Sequence, residues 1–163
     1  METNNNKSGI YPYISSSARK WKSNTFPSYS LYVANKDFAI TYKIKSRPYI
    51  KGLLFKDIKD KVLGKSYSLS LVFIENKESK KLNFQYRKKI KPTNVLAFPI
   101  NKMVGEIFIN IDSIRKEHLL FGRSQKNFIA FLYIHALLHL KGYDHSSKME
   151  DAEKKIRILF GLE

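Results

Sequence analysis

Hydrophobic positions along the chain alternate between two periods. Asp37–Ile44 (DFAITYKI) switches between apolar and polar residues and is rich in β-formers, which predicts a strand. Beyond Pro48, the residues Ile50, Leu53, Leu54, Ile58, Val62 and Leu63 recur near helical spacing until Gly64, predicting a helix over Ile50–Leu63. Tyr67–Ile74 (YSLSLVFI) reads as a strand, and a polar loop, Glu75–Lys80, leads to a short helical or turn segment at Leu82–Tyr86. Val95–Phe98 and Val104–Ile111 are two further strands, separated by Pro99 and a short connector. From Ser124 the period becomes helical. Ser124–Lys141 is a long helix with Phe128, Ile129, Phe131, Leu132, His135, Leu138 and His139 along one broad side. Gly142-Tyr143-Asp144 is a turn, and Ser146–Phe160 is a last helix with Ser146 or Ser147 as N-cap. The pattern predicts an α+β domain, a small mixed β-sheet of about four strands with helices packed on it.

Residues 1–30 show neither period and are rich in Asn, Ser, Lys and Tyr, and the segment is drawn to residue 34. They read as a flexible basic leader ahead of a single domain at 35–163. They lack the apolar stretch and cleavage site of a secretory signal and the Arg-rich helix of an organelle transit peptide, although they are Ser-containing and acid-poor. The expected location is cytoplasmic, with organelle targeting by the leader left open. No apolar run approaches the roughly 18 residues of a membrane span, so no membrane partner is expected. Cysteine is absent, which excludes disulfide frameworks and thiolate zinc ribbons.

Charge adds a partner class. The 163 residues hold 30 Lys+Arg and 14 Asp+Glu, a net charge of +16. Such a surface favours polyanions, although a chain rich in Lys, Asn, Ile and Phe also matches AT-rich coding, and composition alone does not separate the two. Distribution says more. Between Lys77 and Lys91 stand seven basic residues and one acid, Glu78, with Phe84 and Tyr86 interleaved, as in single-strand binders. The aromatic pair also reads as core anchors of the segment.

The chemistry concentrates in His135-Ala-Leu-Leu-His139-Leu-Lys-Gly142-Tyr-Asp-His145. Two histidines four apart on a helix differ by about 40° in azimuth and about 6 Å in rise, so both imidazoles lie on one face. Gly142 ends the helix in a left-handed conformation and turns His145 back over the same point. Three neutral imidazoles with a position left for water describe a catalytic zinc site, one ion per chain. The spacing equals the metzincin H-E-x-x-H-x-x-G-x-x-H, with Ala136 where those proteases carry their general base, which argues against peptidase chemistry. His118, outside the cluster, reads as a surface residue.

HALLHLKGYDH resembles the H-G-x-L-H-L-x-G-Y-D-H signature of the YbeY endoribonuclease family of ribosomal-RNA maturation factors. Leu82–Pro99 (LNFQYRKKIKPTNVLAFP) is similar to that family's L-N-x-x-Y-R-x-x-D-x-P-T-D/N-V-L-S-F-P, and Gly105–Ile109 to its G-D-I-x-I. Met149, Glu150 and Glu153 resemble its final helix. The resemblance implies a zinc-binding α+β fold, single-strand-specific RNA cleavage, maturation of the 3′ end of small-subunit ribosomal RNA and ribosome quality control. It implies His135, His139 and His145 as ligands, and a catalytic Arg87 facing the metal. Departures are Ala136 for Gly, Ile90 for Asp, Ala97 for Ser and Glu106 for Asp; none touches a ligand.

A three-His zinc acidifies its water towards a pKa of about 7 and polarises a phosphoryl oxygen. The planar guanidinium of Arg87 suits bidentate phosphate binding, although without the motif it is one more cation in a basic loop. Asp144 either accepts a hydrogen bond from a ligand imidazole and orients it, or caps the last helix. Lys88, Lys89 and Lys91 are expected to track RNA phosphates. The expected partners are single-stranded ribosomal RNA and the small ribosomal subunit or its assembly factors, with no DNA. The nucleophile stays open between hydroxide and a ribose 2′-OH. A zinc-stabilised ribosome-assembly factor with little catalysis is the alternative, and a metal-dependent amidase or deaminase a weaker third.

Overall fold

The computed structural model describes residues 30–35 and 37–162. Five strands form one mixed sheet: β1 (Ser30–Asn35), β2 (Phe38–Tyr42), β3 (Ser68–Ile74), β4 (Val95–Asn101) and β5 (Val104–Asn110), in the order β1-β2-β3-β5-β4. The outer pairs β1–β2 and β4–β5 are antiparallel, whereas β3 runs parallel to both β2 and β5. The expected α+β architecture is present, with an extra edge strand. β1 takes in residues 30–34, which had been assigned to the leader although 31–34 (LYVA) are apolar; among the described residues it pairs with β2 alone, at the edge of the sheet. The remainder of the leader, 1–29, lies outside the described residues.

Alternation along the central strands divides the core. Leu69, Leu71, Phe73, Ile107 and Ile109 point to one face, where α1 (Phe55–Leu63), α3 (Ile111–Glu117), α4 (Gln125–Leu140) and α5 (Ser147–Leu159) cover them. Val72, Ile74, Leu96 and Phe98 point to the other, under Leu82 and Tyr86 of α2 (Asn76–Arg87). β4 runs through Pro99, which had been read as a separator; at a sheet edge the missing N–H is tolerated.

Three helices differ from expectation. α1 begins at Phe55, because Leu53 N–H closes a turn onto Ile50 O and the chain enters the helix late. α2 spans the stretch expected to be a polar loop. Its solvent face is charged, and two of its buried positions, Ser79 and Asn83, are polar, so no apolar stripe betrays it. α3 arises where a longer β5 was expected, since the Asn110 side chain accepts from Asp112 N and caps a new helix.

Those buried polar groups fix the loop after α2. Asn83 Nδ2 donates to Lys91 O at 2.7 Å, and Ser79 Oγ donates to Thr93 O at 2.7 Å while accepting from Thr93 N at 2.9 Å. Fully buried Asn110 sends Nδ2 to Asn76 Oδ1, Thr93 O and Ser113 Oγ. Buried polar networks of this kind select one arrangement of a loop without apolar content.

Candidate metal centre

The site stands on α4, which is apolar nearly all round; nine of its sixteen residues are buried. Ser124 caps its start, accepting from Asn127 N. Near its other end Gly105 brings β5 close: a Cβ there would lie 2.5 Å from Tyr67 Oη and 3.1 Å from Leu140. A helix seated this way leaves one half-buried stripe, Phe131, His135 and His139, at intervals of four.

Gly142 terminates α4 at φ 99°, as expected. Tyr143 N–H reaches Leu138 O at 3.0 Å and Gly142 N–H reaches His139 O at 2.9 Å, the paired bonds of a Schellman turn. Tyr143 packs against the core, which reverses the chain and sets His145 over the helix. The His145 ring centroid lies 5.1 Å from that of His135 and 4.7 Å from that of His139. One ligand atom from each of the three lies within 4.8 Å of the others, an arrangement able to hold a metal ion.

The hydrogen bonds set the tautomers. His135 Nδ1 sits 2.9 Å from Glu153 Oε2, and His139 Nδ1 sits 2.9 Å from the Tyr143 carbonyl. Both partners are acceptors, so both Nδ1 atoms donate, and in the neutral form of each ring Nε2 is the free ligand atom. These two Nε2 atoms face each other at 3.0 Å. Burial, then the neighbouring charge of His135, lowers the pKa of His139, which opposes relief by protonation. A proton or a metal ion can bridge two Nε2 atoms at this separation, and with His145 beside them the three-imidazole donor set fits a metal.

Arg87 is exposed and ends α2, where a cation complements the helix dipole. Its charge also lowers the pKa of His139, behind the larger effects of burial and the other histidines. Lys88, Lys89 and Lys91 follow, all exposed, on the loop pinned by Ser79, Asn83 and Asn110. An open groove of about 510 Å³ lies beside the histidines, bordered by Phe131, His135, His145, Met149, Glu153 and Arg157.

The sequence model of the family described as Endoribonuclease YbeY matches residues 33–158. The chain belongs to the YbeY endoribonuclease family. Proteins named Endoribonuclease YbeY from Buchnera aphidicola and Halalkalibacterium halodurans are 38% and 33% identical to it. The first match covers 73% of this chain and 87% of that protein, the second 74% and 85%. The solution structure of TM1509 from Thermotoga maritima is similar at TM-score 0.54 and 26% identity, over 76% of this chain and 89% of that one.

Within this YbeY chain the motif residues divide between scaffold and surface. Asn83 and Thr93 hold the basic loop, and Tyr86 packs on Phe98 with ring centroids 4.9 Å apart, an anchor as expected. Phe84 is not an anchor; it is 55% exposed, on the solvent side of α2. His118 is half-buried, with Nδ1 at 2.8 Å from Arg123 O. Ser146, not Asp144, caps α5, and the carboxylate at an imidazole is that of Glu153. Asp144 is exposed and accepts from Ser146 Oγ through its main-chain carbonyl. Glu153 is 4% exposed and also meets Arg157 Nη1 at 3.6 Å. Its signal in the sequence was an acid one turn after buried Met149, on the inward side of α5. Among the described residues no helix is long and apolar enough to cross a membrane.

Proposed function

We propose that this protein is a zinc-dependent endoribonuclease specific for single strands, acting in maturation of the 3′ end of small-subunit ribosomal RNA and in ribosome quality control. The observation that carries the reading is the pair of Nε2 atoms at 3.0 Å with both Nδ1 atoms committed to acceptors. Family membership supplies the reaction class.

His135, His139 and His145 would hold zinc. Zinc favours imidazole donors in sets of three when a coordination position serves catalysis, and when bound it supplies a Lewis acid and an acidified water. The protein's own groups do the rest. Glu153 and the Tyr143 carbonyl keep two ligand rings in one tautomer and orientation. Arg87 binds the scissile phosphate through its guanidinium and offsets the negative charge that develops on the phosphoryl oxygens. Lys88, Lys89 and Lys91 carry the flanking phosphates of a strand crossing from the α2 loop to the histidines. Small ribosomal subunits or their assembly intermediates present such a strand, and the cytoplasm is where they are met.

The test is cleavage of a single-stranded ribosomal-RNA 3′ precursor by the zinc-loaded protein. Wild type should cut, and Arg87→Ala should cut about a hundredfold to a thousandfold more slowly. Wild type no faster than Arg87→Ala and His139→Ala would leave a zinc-stabilised assembly factor instead.

A further inference from the structure

The groove beside the histidines has a floor and a rim that metal binding does not use. Its floor is Phe131, half-buried on α4 one turn before His135, with ring centroids 6.2 Å apart. The Arg157 guanidinium carbon lies 5.5 Å from the Phe131 ring centroid, and that of Arg123 lies 4.8 Å away. Arg157 is held further by Glu153 at 3.6 Å. A half-buried aromatic ring with a guanidinium group near it, both lining an open groove of about 510 Å³, offers a stacking surface in a space of the size that small ligands occupy. Nucleobases stack on aromatic rings and on guanidinium planes alike.

The rim decides what part of a nucleotide fits. Glu150, Asp151 and Lys154, all exposed, line it, two carboxylates to one cation. Carboxylates repel phosphate but accept hydrogen bonds from ribose hydroxyls and exocyclic amino groups. The geometry points to a subsite for one unpaired ribonucleoside next to the scissile phosphate, its base on Phe131 and Arg157 and its ribose hydroxyls against Glu150 and Asp151. The inference rests on the reading of the three histidines as the cleavage centre, since His135 and His145 form the adjoining wall. It gives that centre a physical source of strand selectivity. A base must leave its stack to reach the platform, which a duplex resists, and DNA lacks the 2′-OH the rim would accept.

The test uses the zinc-loaded full chain and a set of single-stranded RNA oligonucleotides in which one abasic site is moved along the sequence. Binding is followed by fluorescence anisotropy and cleavage by gel. One abasic position beside the cut should weaken wild-type binding about tenfold. Phe131→Leu should bind intact RNA about tenfold more weakly, keep its zinc, and lose sensitivity to that position. The double substitution Glu150→Gln with Asp151→Asn should narrow the preference for RNA over the same DNA sequence. The abasic scan on wild type needs no variant to fold. A flat scan, or a Phe131→Leu protein as sensitive as wild type, overturns the subsite. If wild type binds but never cuts, the cleavage reading fails, while the binding scan still decides whether the base is held.

Discussion

The two faces of the sheet are built on different principles, and the candidate site draws on both. On the α4 face a large apolar cluster seats a helix, and the histidine positions then follow from helical geometry and one Schellman turn. On the α2 face, among the described residues, Val72, Ile74, Leu82, Leu96 and Phe98 form the buried cluster. The loop that follows Arg87 is instead held by side-chain amides and a hydroxyl. Apolar packing places the imidazoles, whereas polar satisfaction places the cations. The two halves should therefore fail separately, and the following substitutions test that independence.

The largest effect belongs to His139→Ala. It should abolish stoichiometric zinc by elemental analysis and reduce RNA cleavage to background. A chelator should destabilise wild type by about 3 kcal/mol where free zinc had stood at a hundred times its Kd, and should leave His139→Ala unmoved. Acid should act in the same direction, since protons compete for imidazole below about pH 6.5. Burial and the charge of His135 depress the pKa of His139 in the folded chain. A depressed histidine stays neutral until the pH falls through its folded value, so zinc should be retained to lower pH than free imidazoles would allow. A His139→Ala protein that still carries one zinc per chain would break the site assignment outright.

Asn110→Ala attacks the other face. It removes the buried donor to Asn76, Thr93 and Ser113 and the acceptor that caps α3 through Asp112 N. Urea denaturation should show a loss of about 2–4 kcal/mol, because the hydrogen bonds of a buried amide and the cap of α3 are lost at once. RNA affinity should fall as the basic loop loosens, while zinc per folded chain stays constant. Loss of zinc in parallel would mean that the two faces are coupled.

Glu153→Gln sharpens the first half of the comparison. Glutamine preserves size and an acceptor oxygen but removes the charge that faces His135 Nδ1. Competition with a chromophoric chelator should show zinc held about 10–100-fold more weakly, with little change in unfolding midpoint of the metal-free protein. An unaltered zinc affinity would reduce Glu153 to a packing role.

Legibility in the sequence follows the same division. The helix α4, the left-handed Gly142 and the convergence of three histidines depend on neighbours within a few residues, so pattern and spacing revealed them. The strands β2 to β5 announced themselves by alternation, and the YbeY motifs marked Asn83, Tyr86 and Arg87 before their surroundings were visible. What stayed hidden is non-local or polar. β1 exists through pairing with β2, α2 buries Ser79 and Asn83 in place of an apolar stripe, and α3 starts where a buried Asn110 caps it. Asp144 was open to two readings, an imidazole partner because it adjoins His145 or a cap of the last helix. The residue that reaches an imidazole, Glu153, lies eighteen positions from His135 and arrives by packing of α5 on α4.

Lys88→Gly should produce the smallest change, and one of opposite sign in its two readouts. Lys88 is the single non-glycine with positive φ among the described residues, at φ 57°, ending α2 where Lys88 N–H meets Phe84 O and Lys89 N–H meets Asn83 O. A side chain in that conformation carries a strain of roughly 1–2 kcal/mol, which glycine relieves while making the unfolded chain more flexible. The net gain in stability should be about 0.5 kcal/mol, measurable as a higher urea midpoint with an unchanged slope. The same substitution removes a cation from the path that leads to Arg87. If Lys88 contacts a phosphate, the slope of log affinity for single-stranded RNA against log salt should shrink by about 0.7. A more stable protein that binds RNA less well would mean that strain on the α2 face is retained for its charge, with no counterpart on α4, where the left-handed position is already glycine. A gain in stability with an unchanged salt slope would place Lys88 off the RNA path and leave Lys89 and Lys91 to carry it.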